Sequence, residues 1–387
     1  MAQRTSNKLA TWFPQAQHPI IISAPMLGTS NATLAVEVSK AGGIGIVPGG
    51  FNFAPSSPHL ETLDRELTTA RSLLNHPPLL PVSSSSSPSP SVASNQINTT
   101  LPVGVGFILC HDTFAAHFER TVVPLLLRHR PAAVWLFAPR PEDVADGAAD
   151  SAVARVIARL KREGFGVMVQ VGTVAAARAA VAQASEGGGA DVLVVQGADA
   201  GGHQFAGGGA GIISLVPEVA DMVEKELGNH GVGVTIVAAG GIVDGRGVAA
   251  AMALGAEAVV MGTRFIASEE AWTPEFRKKL ILEATDGGPS TVKTSILDDI
   301  QGTAIWPSIY DGRGLVGKSW QDHMAGMPLD ENIRLFKEAD KAGDTSRKIT
   351  WAGTGVGLVR QTKPAGEIVK EVREDALRRI RSLASGV

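Results

Sequence analysis

Apolar runs of strand length recur along this chain at residues 20–26, 43–48, 103–109, 132–138, 166–171, 191–195, 234–238 and 258–261. Helix-length segments separate them, for example 33–41, 113–128, 151–162, 174–185 and 245–254. The runs are continuously apolar rather than alternating, which is the pattern of parallel strands covered on both faces. Eight such strands in strict alternation with helices predict an α/β fold of the (β/α)8 TIM-barrel type. A doubly wound open sheet is the competing architecture, because alternation alone does not establish closure.

Two stretches break the rhythm. Residues 81–100 read PVSSSSSPSPSVASNQINTT, a composition with too little apolar surface to order itself, and are expected to form a flexible insertion. Residues 268–346 are charged and helix-like, and are expected to form a smaller, mainly helical lobe after strand eight, on the substrate side. The barrel would then comprise residues 1–267 and 347–387, with 365–383 returning as its last helix.

The bulk properties suit one large barrel with an appendage: 387 residues, 44% hydrophobic and 19% charged. A net charge of −3 leaves no electrostatic footprint for nucleic acid or an acidic membrane. No apolar run is long enough to span a bilayer, and the first residues carry no apolar signal core, so a cytoplasmic location is expected. The single cysteine, Cys110, excludes an internal disulfide and a cysteine-based zinc cluster.

Barrel enzymes carry their chemistry on the loops that follow the strands. After the first strand, Pro25 and Gly28 flank a tight turn that directs Met26 at the mouth. An ordinary turn explains these residues equally well. After the seventh strand come Gly240 and Gly241, followed by Asp244 as a helix starter; at the eighth stand Met261, Gly262 and Thr263. Paired glycines let backbone N–H groups approach an anion, and these two loops are where barrels commonly hold phosphate. The alternative is glycine used for close helix packing.

The sixth strand delivers Gln196, which donates and accepts at once and so suits the edge of a heterocycle. A glycine-rich turn with Gly201 and Gly202 then presents His203, the one side chain there that exchanges protons near neutral pH. Asp199 is read as serving the turn, and His111, after strand three, as a secondary candidate at the mouth. His18, His59, His76, His129 and His230 lie in polar or turn-rich surroundings and read as solvated. No carboxylate or second histidine stands at metal-ligand spacing from His203, so no metal is expected. Trp306, Tyr310 and Arg313 are candidate pocket walls in the lobe, with core packing the alternative for Trp306.

Four motifs together, PMLG at 25–28, VVQGADAGGH at 194–203, AAGGI at 238–242 and MGTRF at 261–265, resemble the nitronate monooxygenase family, formerly called 2-nitropropane dioxygenase. The resemblance extends to STVKTSILDD, YDGRG and WAGTGVGLV further along, and so covers nearly the whole chain. It implies a barrel that binds FMN non-covalently, with Gly240, Gly241, Gly262 and Thr263 at the phosphate, Gln196 at the isoalloxazine and Gly201 admitting the ring. Pro25, Met26, Gly28, Gly106, Gly202 and Met261 complete the expected cofactor-binding set. His203 matches the base thought to take the α-proton from neutral nitroalkanes.

The reaction implied is oxidation of an alkyl nitronate by O2 to a carbonyl compound and nitrite. A nitronate is already deprotonated, so His203 matters less for it than for a nitroalkane. Many bacterial members carry an asparagine at the place of Gly106, a departure that bears on how the ring is held on that side and on the subgroup; the Ser-rich insertion suggests a eukaryotic, fungal protein. The alternative on the same barrel is an NAD(P)H-dependent flavin reductase acting on quinones or enoyl thioesters. A non-catalytic flavin-binding protein is disfavoured by the complete set of loops, and an IMP-dehydrogenase-like barrel by the lack of a loop cysteine. Partners are expected to be a small nitronate or nitroalkane and O2, in a monomer or a homodimer.

Overall fold

The computed structural model describes residues 7–76, 100–144, 151–182, 189–207, 209–227, 233–303 and 305–386. Residues 81–99 of the expected insertion, the end of the 174–185 helix and His230 lie outside the described residues.

Eight parallel strands form the central sheet: β1 (Ile20–Ser23), β2 (Ile46–Gly50), β3 (Leu101–Ile108), β4 (Pro131–Phe137), β5 (Gly166–Val171), β6 (Val192–Gln196), β8 (Thr235–Ala239) and β9 (Ala258–Met261). A short strand, β7 (Gly202–Phe205), falls between β6 and β8 in the chain but lies outside this sheet. Neighbours follow chain order around the sheet, from β1 through β9, β8, β6, β5, β4 and β3 to β2. A doubly wound sheet would reverse that order in its middle. The two ends also meet, since Ser23 N–H donates to Ile44 O at 3.0 Å and Ile44 N–H to Ile21 O at 2.9 Å. The sheet therefore closes, and the fold is a TIM barrel.

Alternation along each strand sorts the core into two layers. Ile20, Ile22, Ile46, Met168, Val194 and Val237 join one cluster, and Leu9 and Phe13 from the N-terminal segment pack into it. Their neighbours Ile21, Val47, Val167, Leu193 and Val259 join the other, with helix residues such as Leu34, Phe118, Val216 and Ile368. The helices start where capping residues stand. Asn31, Ser57, Ser151 and Thr173 each accept a backbone N–H of the first turn, and Asp244 accepts two, from Arg246 and Gly247. The C-terminal helix Ala365–Ser385 packs against Gly245–Ala253 and Ala32–Lys40, completing the ring. Among the described residues no helix is long and apolar enough to cross a membrane.

The sequence reading places His203 in a loop and assigns no strand to residues 268–346. The structure corrects both. Strands β10 (Thr291–Thr294) and β11 (Tyr310–Leu315) join β7 in an antiparallel sheet, with His203 opposite Gly312. Period-two alternation in YDGRGL is carried largely by glycines, so no apolar stripe marks it as a strand.

Candidate active site

A cavity of about 580 Å³ opens at the carboxyl ends of the barrel strands. Residues from the turn after β1, from β3, β6, β8 and β9, and from the stretch after residue 300 line it. Of the residues singled out by sequence, Pro25, Met26, Gly106, Gln196, Gly201, Gly202, His203, Gly240, Gly241, Gly262 and Thr263 reach its wall.

Gly28 and Met261 do not. Gly28 adopts φ +74° inside a turn closed by Thr29 and Ser30 N–H groups donating to Met26 O, so its glycine serves the turn. Met261 is fully buried with its side chain among the helices; its carbonyl accepts Ala24 N–H at 3.0 Å. Tyr310 and Arg313 are likewise absent from the wall. The Tyr310 hydroxyl donates to Pro139 O, and Arg313 donates to Ala198 O and Thr291 Oγ1. Trp306 does line the cavity and also packs against the barrel interior.

β7 fixes the His203 backbone, and three side chains fix its ring. Nε2 lies 2.9 and 3.0 Å from the two carboxylate oxygens of Asp298. The indole of Trp306 stacks on the imidazole at 3.7 Å with 12° between planes, and Trp351 tilts against it at 4.7 Å. Asp298 is buried and also accepts the Thr303 hydroxyl at 2.7 Å. A carboxylate only accepts, so Nε2 carries the hydrogen, and in the neutral ring Nδ1 is left as the acceptor.

Gln196 sits in a relay across the mouth. Trp135 Nε1 donates to Gln170 Oε1 at 3.1 Å, Gln170 Nε2 donates to Gln196 Oε1 at 2.8 Å, and Gln196 Nε2 donates to His203 O at 3.2 Å. Each amide keeps one N–H beyond these bonds, and both glutamines line the cavity.

The glycines separate into two kinds. At Gly201 an added Cβ would stand 2.3 Å from Gly353 N, and at Gly106 2.5 Å from Pro25 Cγ, so both are demanded by the packing of the chain. Gly106 lets Pro25 of the first turn close onto β3. At Gly262 the nearest atoms are 3.6 Å away, and at Gly202 nothing lies within 4 Å. Those two leave room on the cavity side.

Sequence reasoning missed Asp298, Gln170, Trp351 and Arg277. Gln170 had a signal, a lone polar residue closing an apolar strand as Gln196 does. Asp298 lay within the STVKTSILDD stretch, but nothing there linked it to His203, 95 residues away, until β7 paired with β11. His111 is not in the cavity wall; it bonds Thr113 Oγ1 at 2.9 Å, and its ring lies 5.5 Å from that of Phe51, which does line the cavity. Two histidines read as solvated are engaged: His59 Nδ1 accepts from Asn52 N at 3.1 Å, and buried His129 bonds Asp64 at 2.7 Å. Asp199 holds its turn to the stretch after β11, accepting Thr354 Oγ1 at 3.0 Å. Cys110 is buried off the wall, and burial pushes its thiol up to about 12.

A closed barrel with a cavity at the strand ends, walled by glycine loops and aromatic rings around a tethered imidazole, defines a TIM-barrel enzyme that works on a bound small molecule. Known proteins sharpen this. The family model described as nitronate monooxygenase matches residues 11–375. A nitronate monooxygenase of Neurospora crassa is 49% identical over 99% of this chain and 95% of its own. Another from Metarhizium robertsii is 39% identical over 95% of this chain and 94% of its own. Among solved structures, FabK from Thermotoga maritima covers 100% of both chains with a TM-score of 0.67 at 25% identity. The chain belongs to the nitronate monooxygenase family, an oxidoreductase family whose membership implies a flavin.

Proposed function

We propose that this protein is an FMN-dependent nitronate monooxygenase. It oxidises alkyl nitronates with O2 to a carbonyl compound and nitrite, and it accepts neutral nitroalkanes through His203 as the base. The observation that carries the reading is one cavity with His203 in its wall and the Gly240–Gly241 and Gly262–Thr263 loops in the same wall.

The residues present fit a flavin mononucleotide. Gly262 leaves space beside its backbone, and the hydroxyls of Thr273 and Thr350 and the Arg277 Nε are buried without a partner at the same cavity. In this reading Gly240, Gly241, Gly262 and Thr263 hold the phosphate. Gln196 spends its spare N–H on the ring edge, while Pro25, Met26, Gly106, Gly201 and Gly202 shape the bed of the ring. Bound FMN supplies the oxidation of the anionic substrate and the passage of its electrons to O2.

The chain's own residues do the rest. Nδ1 of His203 takes the α-proton of a nitroalkane, and Asp298 holds the ring in the tautomer that leaves Nδ1 free to do so. Trp306, Trp351, Phe51 and Phe137 give the cavity apolar walls that exclude bulk water. Residues 268–346 are taken as the substrate-side lobe on a barrel of 1–267 and 347–387, acting as a soluble cytoplasmic enzyme.

The test is nitrite release and O2 consumption by flavin-replete protein given propionate 3-nitronate or an alkyl nitronate. Absence of nitrite would sink the activity. Rapid anaerobic bleaching of the flavin by NADH or NADPH would favour the flavin-reductase alternative instead.

A further inference from the structure

Among the described residues Arg277 is the only lysine or arginine that lines the cavity, and no aspartate or glutamate among them lines it. The residue stands in the helix Glu275–Glu283, one turn before Ile281, which packs in a cluster with Ile266, Ala352 and Val356. The guanidinium is therefore carried to the part of the mouth where the loop after β9 meets the stretch after residue 350. Among the described residues its side chain makes no hydrogen bond or ion pair, and its only side-chain neighbour of note is the Phe276 ring, 5.6 Å from Cζ.

Burial holds Arg277 below the usual arginine range with no carboxylate acting on it. Arginine stays protonated in proteins, so the charge persists in the wall without a counter-charge. Thr273, one helical turn away in sequence, has a hydroxyl buried without a partner, and so does Thr350; the two residues are 7% and 3% exposed and both line the cavity. Buried polar groups without partners are rare in native proteins because each forfeits its solvation. Three at one cavity, one of them cationic, call for an acceptor-rich anion.

We propose that Arg277, with the Thr273 and Thr350 hydroxyls, is an oxyanion site of this cavity. It takes either the phosphate of a bound mononucleotide or a carboxylate borne by the substrate; naming these two sources rests on the nitronate monooxygenase reading. Both offer two or more oxygens to a planar fork of N–H donors.

The experiment compares wild type with Arg277→Gln and Arg277→Lys, using circular dichroism and Tm to establish that each folds. Apo-protein is titrated with FMN and with riboflavin, read by flavin fluorescence. Flavin-loaded protein is titrated anaerobically with 3-nitropropionate and with 1-nitropropane, which differ at the far carbon by a carboxylate against a methyl, read from the flavin spectrum. If the site takes phosphate, Arg277→Gln lowers the FMN-over-riboflavin preference about tenfold or more, and Arg277→Lys restores part of it. If it takes the substrate carboxylate, that preference is unchanged and the 3-nitropropionate-over-1-nitropropane preference falls instead. If neither preference moves in a folded variant, the oxyanion site is wrong. Both arms read binding, so a lack of nitrite release would count against the earlier reading and leave this one standing.

Discussion

His203 and Asp298 are 95 residues apart in sequence, yet the imidazole Nε2 sits 2.9 and 3.0 Å from the two carboxylate oxygens. The pairing of β7 with β11 sets up this contact, and the Thr303 hydroxyl on Asp298 Oδ1 steadies the carboxylate. Trp306 stacked on the ring removes the remaining rotational freedom. A base held in one tautomer and one orientation is ready before substrate arrives.

Asp298→Asn should therefore separate two substrates. An amide offers a donor as readily as an acceptor and no charge, so the tautomer is no longer enforced. With a nitroalkane, kcat/KM should fall about 10- to 100-fold, the worth of one charge-assisted hydrogen bond. His203→Ala should cost about 100- to 10,000-fold on the same substrate. With a pre-formed nitronate, both variants should stay within a few-fold of wild type. Equal losses on both substrates would show that His203 and Asp298 serve binding or the fold instead of proton removal.

Acid should destabilise the fold through a pair far from the cavity. Burial lowers the His129 pKa from its ordinary 6.5 against the pull of Asp64. Burial alone would raise Asp64, but the His129 hydrogen bond and Arg128 bring it below its ordinary 3.8. Each group thus binds its proton less readily when folded, so its stabilisation is present above the ordinary value and lost as pH falls. Tm should drop between pH 7 and pH 5 as His129 is forced to charge. His59 and His76, also lowered by burial, add to the slope. His129→Gln should lower Tm at pH 7 and flatten the decline to pH 5; an unchanged slope would remove His129 from the account.

Cys110 should be chemically silent in the native protein. It is fully buried at the end of β3, and its thiol is pushed up to about 12, so almost no thiolate exists at pH 8. Iodoacetamide at that pH should leave the native chain unmodified by intact-mass measurement and label it once in urea. Labelling of the folded protein at the rate of a free thiol would mean that the end of β3 opens.

The barrel was legible because its physics is local. Each strand is a short apolar run, and each helix begins at a capping residue such as Asn31 or Asp244. Of the expected site residues, those on strand ends and adjoining turns arrived at the cavity for the same reason, except Gly28, which serves its turn, and Met261, whose side chain faces the helices. What was not legible depends on contacts distant in sequence. Asp298 reaches His203 through a sheet of short strands without an apolar stripe, β11 alternating glycine with other residues, and Gly201 owes its glycine to Gly353, 2.3 Å from where a Cβ would stand. The motif VVQGADAGGH thus marks a ligand wall and a packing seam at once, and only the packing partner distinguishes them.

That distinction gives opposite outcomes for two glycine-to-alanine changes. At Gly201 the new Cβ would meet Gly353 N at 2.3 Å and the Ala352 carbonyl carbon at 2.4 Å, backbone that has no side-chain freedom to give. Overpacking of this kind costs about 1–3 kcal/mol or more, so Gly201→Ala should lower the Tm of the flavin-free protein by several degrees. At Gly262 the Cβ would stand 3.6 Å from Ala24 Cβ and 3.7 Å from Met26 Sδ, with φ already negative at −105°. Gly262→Ala should leave the flavin-free Tm nearly unchanged, because the methyl group occupies space the fold does not use. It should instead weaken FMN about tenfold, since a methyl there obstructs close approach of a phosphate to the backbone. Thermal melts of flavin-free protein together with FMN titrations check both halves, and a Gly262→Ala protein that binds FMN as tightly as wild type would take the loop after β9 out of the phosphate site.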